Sequence, residues 1–206
     1  MRVLFAGGGT GDGLILFATK CQALGCPVEI DYLDVSEASL SIAQERAAVR
    51  GLRNIQFHLD SVLNASHYGT YDYIDCCGVL HHLPTPLEGF QTLRSVLKDD
   101  GGLGAMVYAP FGRSGVYPLQ AAFRTLLGDA PQGEGLPIAK DILRRLPEAH
   151  IFKRNQMVQD HTESDAGFVD LLLHSQDRAY TVPELLQTLD DADFELVSFV
   201  EPKLYD

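Results

Sequence analysis

The sequence predicts an α/β fold in which helices cover both faces of a doubly wound, mostly parallel sheet. Within the first 110 of the 206 residues, short apolar runs typical of strands alternate with stretches of helical periodicity. Strands separated by helices join through right-handed crossovers, which build an open sheet. A glycine-rich turn at residues 7–13, GGGTGDG, follows the first strand, and open sheets of this kind bind ligands at the carboxyl ends of their strands.

Five strands are predicted in the first half, in the runs RVLFA, VEIDYLDV, IQFHL, YDYIDCCGVL and LGAMVYA. The helix after the first strand spans Leu14–Leu24 and stops before a glycine and a proline. The helix after the second strand begins at Ser36, a residue type that caps helix N-termini, and ends at Gly51. Pro86 opens the helix before the fifth strand, because its fixed backbone angle suits a first helical turn. The stretch DDGG is predicted to form the turn between that helix and the strand.

The second half is predicted to be mainly helical, as an insertion after the fifth strand. Helices are predicted at the end of FGRSGVYPLQAAFRTLLG, at Ala139–Leu146, at Gly167–His174 and in TVPELLQTLDDA. One late C-terminal strand is predicted at Phe194–Val200. We therefore interpret residues 1–110 as a ligand-binding core. Residues 111–206 are predicted to form the helical insertion, the substrate-facing region and the last strand of the same domain.

Composition excludes several classes of protein. The formal net charge of −12 argues against nucleic acid as a partner, because a protein that binds phosphate backbones presents a basic surface. No apolar run reaches the roughly 18 residues of a membrane span, and the N-terminus does not resemble a signal peptide. We expect a cytoplasmic protein. The four cysteines show neither a CxxC pair nor histidines at zinc-ligand spacing, so no metal site and no disulfide are predicted.

The spacing of the glycines narrows the choice of ligand. Gly7, Gly9 and Gly11 recur at every second position, and Asp12 stands where the dinucleotide pattern GxGxxG requires its third glycine. The loop also lacks the GK[ST] ending of a phosphate-binding P-loop. The pattern therefore fits neither NAD nor ATP. A tight strand-to-helix turn that uses glycine for geometry alone remains an alternative interpretation of the loop by itself.

Further residues at predicted strand ends favour a nucleoside. Asp34 ends the second strand, where a carboxylate can accept hydrogen bonds from both ribose hydroxyls. Asp60 follows the third strand, where it can accept from an adenine amino group, with the backbone N–H of Ser61 beside a ring nitrogen. The fourth strand ends in Gly78, which lets the backbone approach a ligand closely.

The segments VLFAGGGTGDG, YLDVS, HLDS, YDYIDCCGVLHHL and LRSVLKDDGGLGAMVY resemble the successive motifs of class I S-adenosylmethionine-dependent methyltransferases. The resemblance covers residues 2 to about 110 and keeps both order and spacing. It implies a Rossmann-like sheet with strand order 3-2-1-4-5 and S-adenosylmethionine as cofactor, with S-adenosylhomocysteine as product. The VLHHL element is similar to methyltransferases that act on small molecules.

The resemblance also implies roles for individual residues. The implied cofactor-binding residues are Ala6, Gly7, Gly9, Gly11, Asp34, Val35, Asp60, Ser61, Gly78 and Val79. The glycines at the first turn pass close to the methionine portion, Asp34 binds the ribose, Asp60 and Ser61 hold the adenine, and Gly78 and Val79 line the methionyl side. Phe5 departs from the family, which commonly has an acidic residue at this position. How the amino group of the cofactor is satisfied is therefore an open question.

Two other departures concern the ends of the chain. The first strand starts at once, whereas family members usually carry N-terminal helices. The sheet of the family also normally ends in an antiparallel hairpin, and Phe194–Val200 has no following partner strand. A fragment of a longer methyltransferase and an abbreviated member of the family are both open interpretations.

Methyl transfer from a sulfonium is an in-line displacement that depends mainly on orientation, so no nucleophilic residue is required. His81 and His82 are the candidate catalytic residues, either as a base or as substrate contacts, with a structural role as the alternative. Candidate substrate contacts are Tyr108, His174, Arg178 and Tyr180. The alternative for residues 174–181, HSQDRAYT, is a structural role in which Asp177 and Arg178 form a surface ion pair.

The predicted function is methyl transfer to a small-molecule acceptor. After the fourth strand stands GVLH and not the Pro-Pro signature of enzymes that methylate exocyclic base amines, which agrees with the acidic charge. Two alternatives stay open: an NAD(P)-dependent oxidoreductase on a similar sheet, and a catalytically inactive S-adenosylmethionine-binding protein.

Overall fold

The computed structural model describes residues 1–128, 132–174, 176–201 and 203. These residues form two compact units. The first comprises Met1–Val107 together with the described residues from Val182 onward, and the second is Tyr108–Thr181. The sequence division placed everything after residue 110 in one region, whereas the structure groups the chain from Val182 with the sheet.

The first unit is built on a sheet of five parallel strands. They are β1 (Arg2–Ala6), β2 (Glu29–Asp34), β3 (Ile55–Leu59), β4 (Tyr71–Cys77) and β5 (Leu97–Met106). Their order is β3-β2-β1-β4-β5, so the chain runs outward from β1 in one direction and then returns to build the other half. The predicted doubly wound fold and its strand order are confirmed.

Nine α-helices are described across the two units. They are α1 (Asp12–Leu24), α2 (Glu37–Val49), α3 (Pro86–Val96), α4 (Val116–Leu127), α5 (Gln132–Arg145), α6 (Ile151–Arg154), α7 (Asp160–Glu163), α8 (Asp165–Leu172) and α9 (Val182–Asp191). Helix α1 begins after Gly11 and ends at Gly25, both of which have left-handed backbone angles. Ser36 caps α2 by accepting a hydrogen bond from the backbone N–H of Ser39 at 3.2 Å, as its residue type predicts.

Two apolar layers cover the sheet of the first unit. On one face, α1 and α2 pack over Val3, Phe5 and Tyr32. On the other face, α3, α9 and a 3₁₀ helix at Val62–His67 pack over Leu4 and Leu33. Alternate residues of β1 thus enter opposite layers, as the two-residue period of a strand requires. Both faces are apolar because a parallel sheet is covered on both sides.

The predicted DDGG turn lies within the irregular first half of β5. Tyr71 pairs with Leu97, but Tyr73 pairs with Gly102, so residues 98–101 bulge out of the parallel ladder. Lys98, at the start of this bulge, reaches back to β4 and binds the carboxylate of Asp72 at 2.6 Å. The residues that were predicted to form a separate turn therefore form a bulge within β5.

The predicted C-terminal strand is wrong. Residues 194–200 form no strand, and Val197 and Val200 are 95% and 100% exposed. The β-branched composition of this stretch favours a strand, but a strand also needs a hydrogen-bonded neighbour. Among the described residues, β5 pairs only with β4, and residues 194–200 join neither.

The second unit has its own apolar core. Its buried residues include Val116, Phe123, Phe152, Phe168 and Leu172, which come from α4, α6 and α8. The predicted helices at residues 139–146 and 167–174 correspond to parts of α5 and α8. Throughout the ranges that the structure describes, we find no helix with the length and apolarity needed to cross a membrane.

Candidate active site

The turn between β1 and α1 requires its glycines. Gly7, Gly9 and Gly11 have φ angles of 72°, 57° and 85°, a left-handed conformation that side chains with a Cβ rarely adopt. The spacing of the three glycines in the sequence therefore reflects a backbone in which alternate residues of the turn adopt left-handed angles. The turn brings a run of backbone groups to the carboxyl end of the sheet.

The central peptide groups of this turn are held from both sides. The N–H of Gly9 donates to Asp34 Oδ2 at 2.8 Å, while the hydroxyl of Tyr32 donates to the Gly9 carbonyl. Tyr32 is fully buried, so its hydroxyl has a fixed position. The other oxygen of Asp34 accepts from the Ser36 N–H at 2.8 Å. Strand β2 thus fixes both the loop and the carboxylate beside it.

The space around the glycines differs from one to the next. A Cβ on Gly7 would come within 2.3 Å of Val79, and one on Gly8 within 2.4 Å of the Tyr32 ring. A Cβ on Gly9 would meet nothing within 4 Å. The loop is therefore packed tightly on its inner side and open at Gly9, where a ligand can approach the backbone.

Helix α2 supports the same loop from outside. Arg46 donates to the Thr10 carbonyl at 2.8 Å and to Asp12 Oδ1 at 2.6 Å. Its hydrogen bond holds the pKa of the Asp12 carboxyl below the usual range. Asp12 occupies the place of a third dinucleotide glycine, and here it anchors the first turn of α1 to α2.

The carboxylate after β3 is oriented by three donors. Asp60 accepts from Asn64 Nδ2 at 2.6 Å, from the Tyr68 hydroxyl at 2.8 Å and from the Ser61 N–H at 2.7 Å. These hydrogen bonds hold the pKa of the Asp60 carboxyl below the usual range. The Ser61 N–H, expected beside an adenine ring nitrogen, is thus used by Asp60. The backbone N–H of Asp60 donates to the Asp34 carbonyl at 3.0 Å, which joins the ends of β2 and β3.

The end of β4 completes this edge of the sheet. Gly78 has a φ angle of 77° and donates its N–H to the Met106 carbonyl at 3.2 Å. A short 3₁₀ helix, Leu80–His82, follows. His81 is fully buried and His82 is partly exposed, with their ring centroids 4.1 Å apart. The two candidate histidines therefore have different environments, and His82 is the more accessible.

Phe5 belongs to the core. Its ring is 2% exposed and lies 5.7 Å from that of Phe17 on α1. Asp75, its register partner on β4, is partly buried, and burial raises the pKa of the Asp75 carboxyl. An aromatic ring thus occupies the β1 position at which the family that the sequence resembles commonly has an acidic residue, while a carboxylate lies on the neighbouring strand β4.

The four candidate substrate residues lie in the second unit. The Tyr180 N–H donates to the Tyr108 carbonyl at 2.8 Å, and Arg178 lies 4.6 Å from the Tyr180 ring centroid. Burial raises the pKa of Tyr108. His174 accepts from the Gln176 N–H at 3.0 Å. The structure therefore brings Tyr108, Arg178 and Tyr180 together, with His174 six residues before Tyr180 in the chain.

The alternative interpretation of this stretch, a surface ion pair between Asp177 and Arg178, is wrong. The side chain of Asp177 is fully buried, and its partner is Arg113, whose side chain is 8% exposed, at 3.3 Å. Arg113 also stacks on Tyr108 at 3.5 Å from the ring centroid, and Gln120 donates to Asp177 at 3.2 Å. The adjacent charges at positions 177 and 178 suggested a local pair, whereas the fold supplies a partner from 64 residues away.

The first unit thus gathers the predicted cofactor residues at one edge of the sheet. They are Ala6, Gly7, Gly9, Gly11, Asp34, Val35, Asp60, Ser61, Gly78 and Val79, at the ends of β1 to β4. Val35 is 72% exposed directly after β2, and Ala6 is buried. Sequence reasoning missed the supporting residues Tyr32, Arg46, Asn64 and Tyr68. Each has a common residue type in an ordinary position, and no sequence signal distinguishes it.

Comparison with known proteins identifies this arrangement. A family model described as a methyltransferase domain matches residues 4–103. This segment is a methyltransferase domain. The methyltransferase domain extends from β1 into β5 and contains all ten predicted cofactor residues. The prediction of the family from the sequence motifs is confirmed.

Two curated relatives share parts of this chain. An uncharacterized protein of Synechococcus sp., syc1184_c, is 31% identical in an alignment of 204 positions that covers 96% of this chain and 48% of that protein. Highly reducing polyketide synthase 40 of Fusarium pseudograminearum is 28% identical in an alignment of 113 positions that covers 52% of this chain and 4% of that protein. The chain thus spans about half the length of the first relative and a small part of the second.

Solved structures support the fold. The structure of PKMT2 from Rickettsia typhi matches with a TM-score of 0.68 and 17% identity, covering 93% of this chain and 38% of that one. The same protein in complex with AdoHcy matches with a TM-score of 0.60 and 18% identity, over 93% and 37% of the two chains. At this level of identity, the likeness establishes the architecture alone.

Proposed function

We propose that this chain transfers a methyl group from S-adenosylmethionine to a small-molecule acceptor by in-line displacement. The observation that carries the proposal is the loop at Gly9, where the backbone is open to a ligand and Asp34 lies beside it. The methyltransferase-domain match supports the choice of cofactor. Because this chain spans 48% of syc1184_c, the proposal concerns the activity of this chain and not that of a longer protein.

The residues present fit the cofactor. Each Asp34 oxygen accepts one backbone N–H, and a carboxylate has about four acceptor sites, so two sites remain for ribose hydroxyls. Asp60 has three donors and keeps about one acceptor site for an adenine amino group. Val35, exposed beside Asp34, offers an apolar surface to a ring. Gly7 and Val79 close the methionine side.

Catalysis in this proposal depends on orientation. When bound, S-adenosylmethionine supplies an activated methyl group, and the chain holds donor and acceptor in line and excludes water. The oriented carboxylates and the rigid glycine turn provide fixed positions on the donor side. If the acceptor is a hydroxyl or an activated carbon, a base removes its proton. His82 is the better candidate for this role, because His81 is fully buried.

The acceptor residues in this proposal lie in the second unit. Tyr108 and His174 are partly exposed and Arg178 is exposed, so they are better candidates than Tyr180, which is 2% exposed. Phenol, imidazole and guanidinium groups together suit a polar small molecule with hydroxyl or carboxylate groups. The net charge of −12 argues against a nucleic-acid acceptor. We expect the second unit to determine which acceptor is used.

Calorimetric titration with S-adenosylmethionine, S-adenosylhomocysteine and NAD tests the proposal. We expect both adenosyl compounds to bind and NAD not to bind. Binding of NAD alone would establish the oxidoreductase alternative. Transfer of a radiolabelled methyl group into small metabolites of a cell extract is then expected. Cofactor binding without any such transfer would instead identify an inactive S-adenosylmethionine-binding protein.

A further inference from the structure

The proposed cofactor carries a positively charged α-amino group, and Phe5 cannot accept a hydrogen bond from it. We propose that Asp75, on the neighbouring strand, binds this ammonium group. The inference rests on the proposed function, since it assigns one more contact in the same site. It also answers the question raised by an aromatic residue at the end of β1.

The position of Asp75 follows from strand register. Asp75 is the direct partner of Phe5 in the parallel pair of β4 and β1. Register partners point to the same face of a sheet, so the carboxylate lies one strand away from the Phe5 ring and at the same height. Neighbouring strands are about 4.8 Å apart. A carboxylate at position 75 can therefore accept a hydrogen bond from a group that is bound at the end of β1.

Asp75 also lies close to the glycine turn. Two residues after Phe5 comes Gly7, whose backbone packs against Val79, and three residues after Asp75 comes Gly78. The ends of β1 and β4 therefore run side by side into the loops that line the methionine part of the site. On the other flank, the register partner of Asp75 is Gly104, and the hydroxyl of Tyr73 lies where a Cβ on Gly104 would be.

The carboxylate lacks a cation of its own. Within the part of the chain that the structure describes, no Lys, Arg or His forms an ion pair with Asp75, and its neighbour is the Cys77 thiol. Burial raises the pKa of Asp75, because the charged form is poorly solvated there. A partly buried carboxylate without a cation is unfavourable for the protein alone. A bound ammonium group offsets this cost and forms a charge-assisted hydrogen bond.

The other carboxylates of the sheet are less suited to bind an ammonium group at the end of β1. Asp31 is paired with Arg2 at 2.9 Å, and Asp72 with Lys98 at 2.6 Å. Asp34 accepts two backbone N–H groups and lies one strand away from β1 on the opposite side. Asp75 thus combines acidity, proximity to the methionine side and the lack of a cation partner.

The test compares two ligands on the full chain. One is S-adenosylhomocysteine, and the other is its deamino analogue, in which hydrogen replaces the α-amino group. We expect the wild-type chain to bind S-adenosylhomocysteine about 10- to 100-fold more tightly than the analogue, the usual contribution of a hydrogen bond to a charged group. In Asp75→Asn this ratio falls to within about threefold of unity, while affinity for the analogue changes little.

Asp72→Asn is the matched control, because it removes a carboxylate from the same strand that is already paired with Lys98. The control should keep the wild-type ratio. Asp75→Ala serves as a second variant if Asp75→Asn does not fold, and it should lose the ratio in the same way. A ratio preserved in a folded Asp75 variant, or a wild-type ratio near one, overturns the inference alone. Failure of the wild-type chain to bind S-adenosylhomocysteine overturns the proposed function as well.

Discussion

The carboxylates in the two halves of the sheet have opposite environments. In the amino half, Asp31 is buried and paired with Arg2 and His58, and Asp72 is paired with Lys98. At the carboxyl ends of β2 and β3, the donors described for Asp34 and Asp60 are neutral groups of the backbone and side chains. Aspartate carboxylates are thus paired with cations near the amino ends of the strands, whereas neutral hydrogen-bond donors orient them at the carboxyl ends.

We interpret this difference as a division between carboxylates that stabilise the fold and carboxylates that are available to the proposed cofactor. A carboxylate that is paired with a buried or nearby cation is satisfied within the protein, and removing it leaves the cation without its partner. A carboxylate that is held by neutral donors keeps its charge and part of its acceptor capacity. We therefore expect substitutions in the amino half to change stability and those in the carboxyl half to change cofactor affinity.

The largest effect is expected for Asp31→Ala. Loss of this carboxylate leaves Arg2 and His58 without their shared partner, and should lower the free energy of unfolding by about 2–4 kcal/mol. Urea denaturation measures this change. The folded variant should bind S-adenosylhomocysteine with wild-type affinity at low temperature. A loss of affinity without a loss of stability would contradict the distinction between the two halves.

A smaller effect, on binding, is expected for Asp34→Ala. The variant should bind S-adenosylmethionine about 1–3 kcal/mol less tightly, because the ribose hydroxyls lose a charged acceptor. Calorimetric titration measures the affinity. Glu29→Ala is the matched control, since Glu29 is an exposed carboxylate at the other end of the same strand. Unchanged affinity in folded Asp34→Ala would show that this carboxylate only holds the Gly9 N–H and Ser36 N–H.

The smallest effect is expected for Lys98→Ala. Lys98 and Asp72 have side chains that are 43% and 33% exposed, so water competes with their ion pair. Such a pair contributes about 0–1 kcal/mol, and the melting temperature should change only slightly. Cofactor affinity should not change. A loss comparable to that of Asp31→Ala would mean that the bulge at residues 98–101 depends on this pair.

Much of the site was predictable because strand ends are visible in the sequence. Gly7, Asp34 and Asp60 each follow or end an apolar run, and parallel strands bring such positions to one edge. The strand predicted at residues 194–200 was wrong, because β-branched residues favour a strand only where a neighbouring strand is available. The Ser61 N–H was predicted to lie beside a ligand, but it donates to Asp60. This hydrogen bond depends on a local turn that the sequence does not show.

The sequence by itself determined the order of strands and helices, the three left-handed glycines and the acidic strand ends. These depend on hydrophobic periodicity and on the conformational freedom of single residues, which are local properties. Only the tertiary structure decided that Tyr32 holds the Gly9 carbonyl and that Asp75 lies beside Phe5. Both contacts join residues more than 20 positions apart in the chain, so they depend on register and packing.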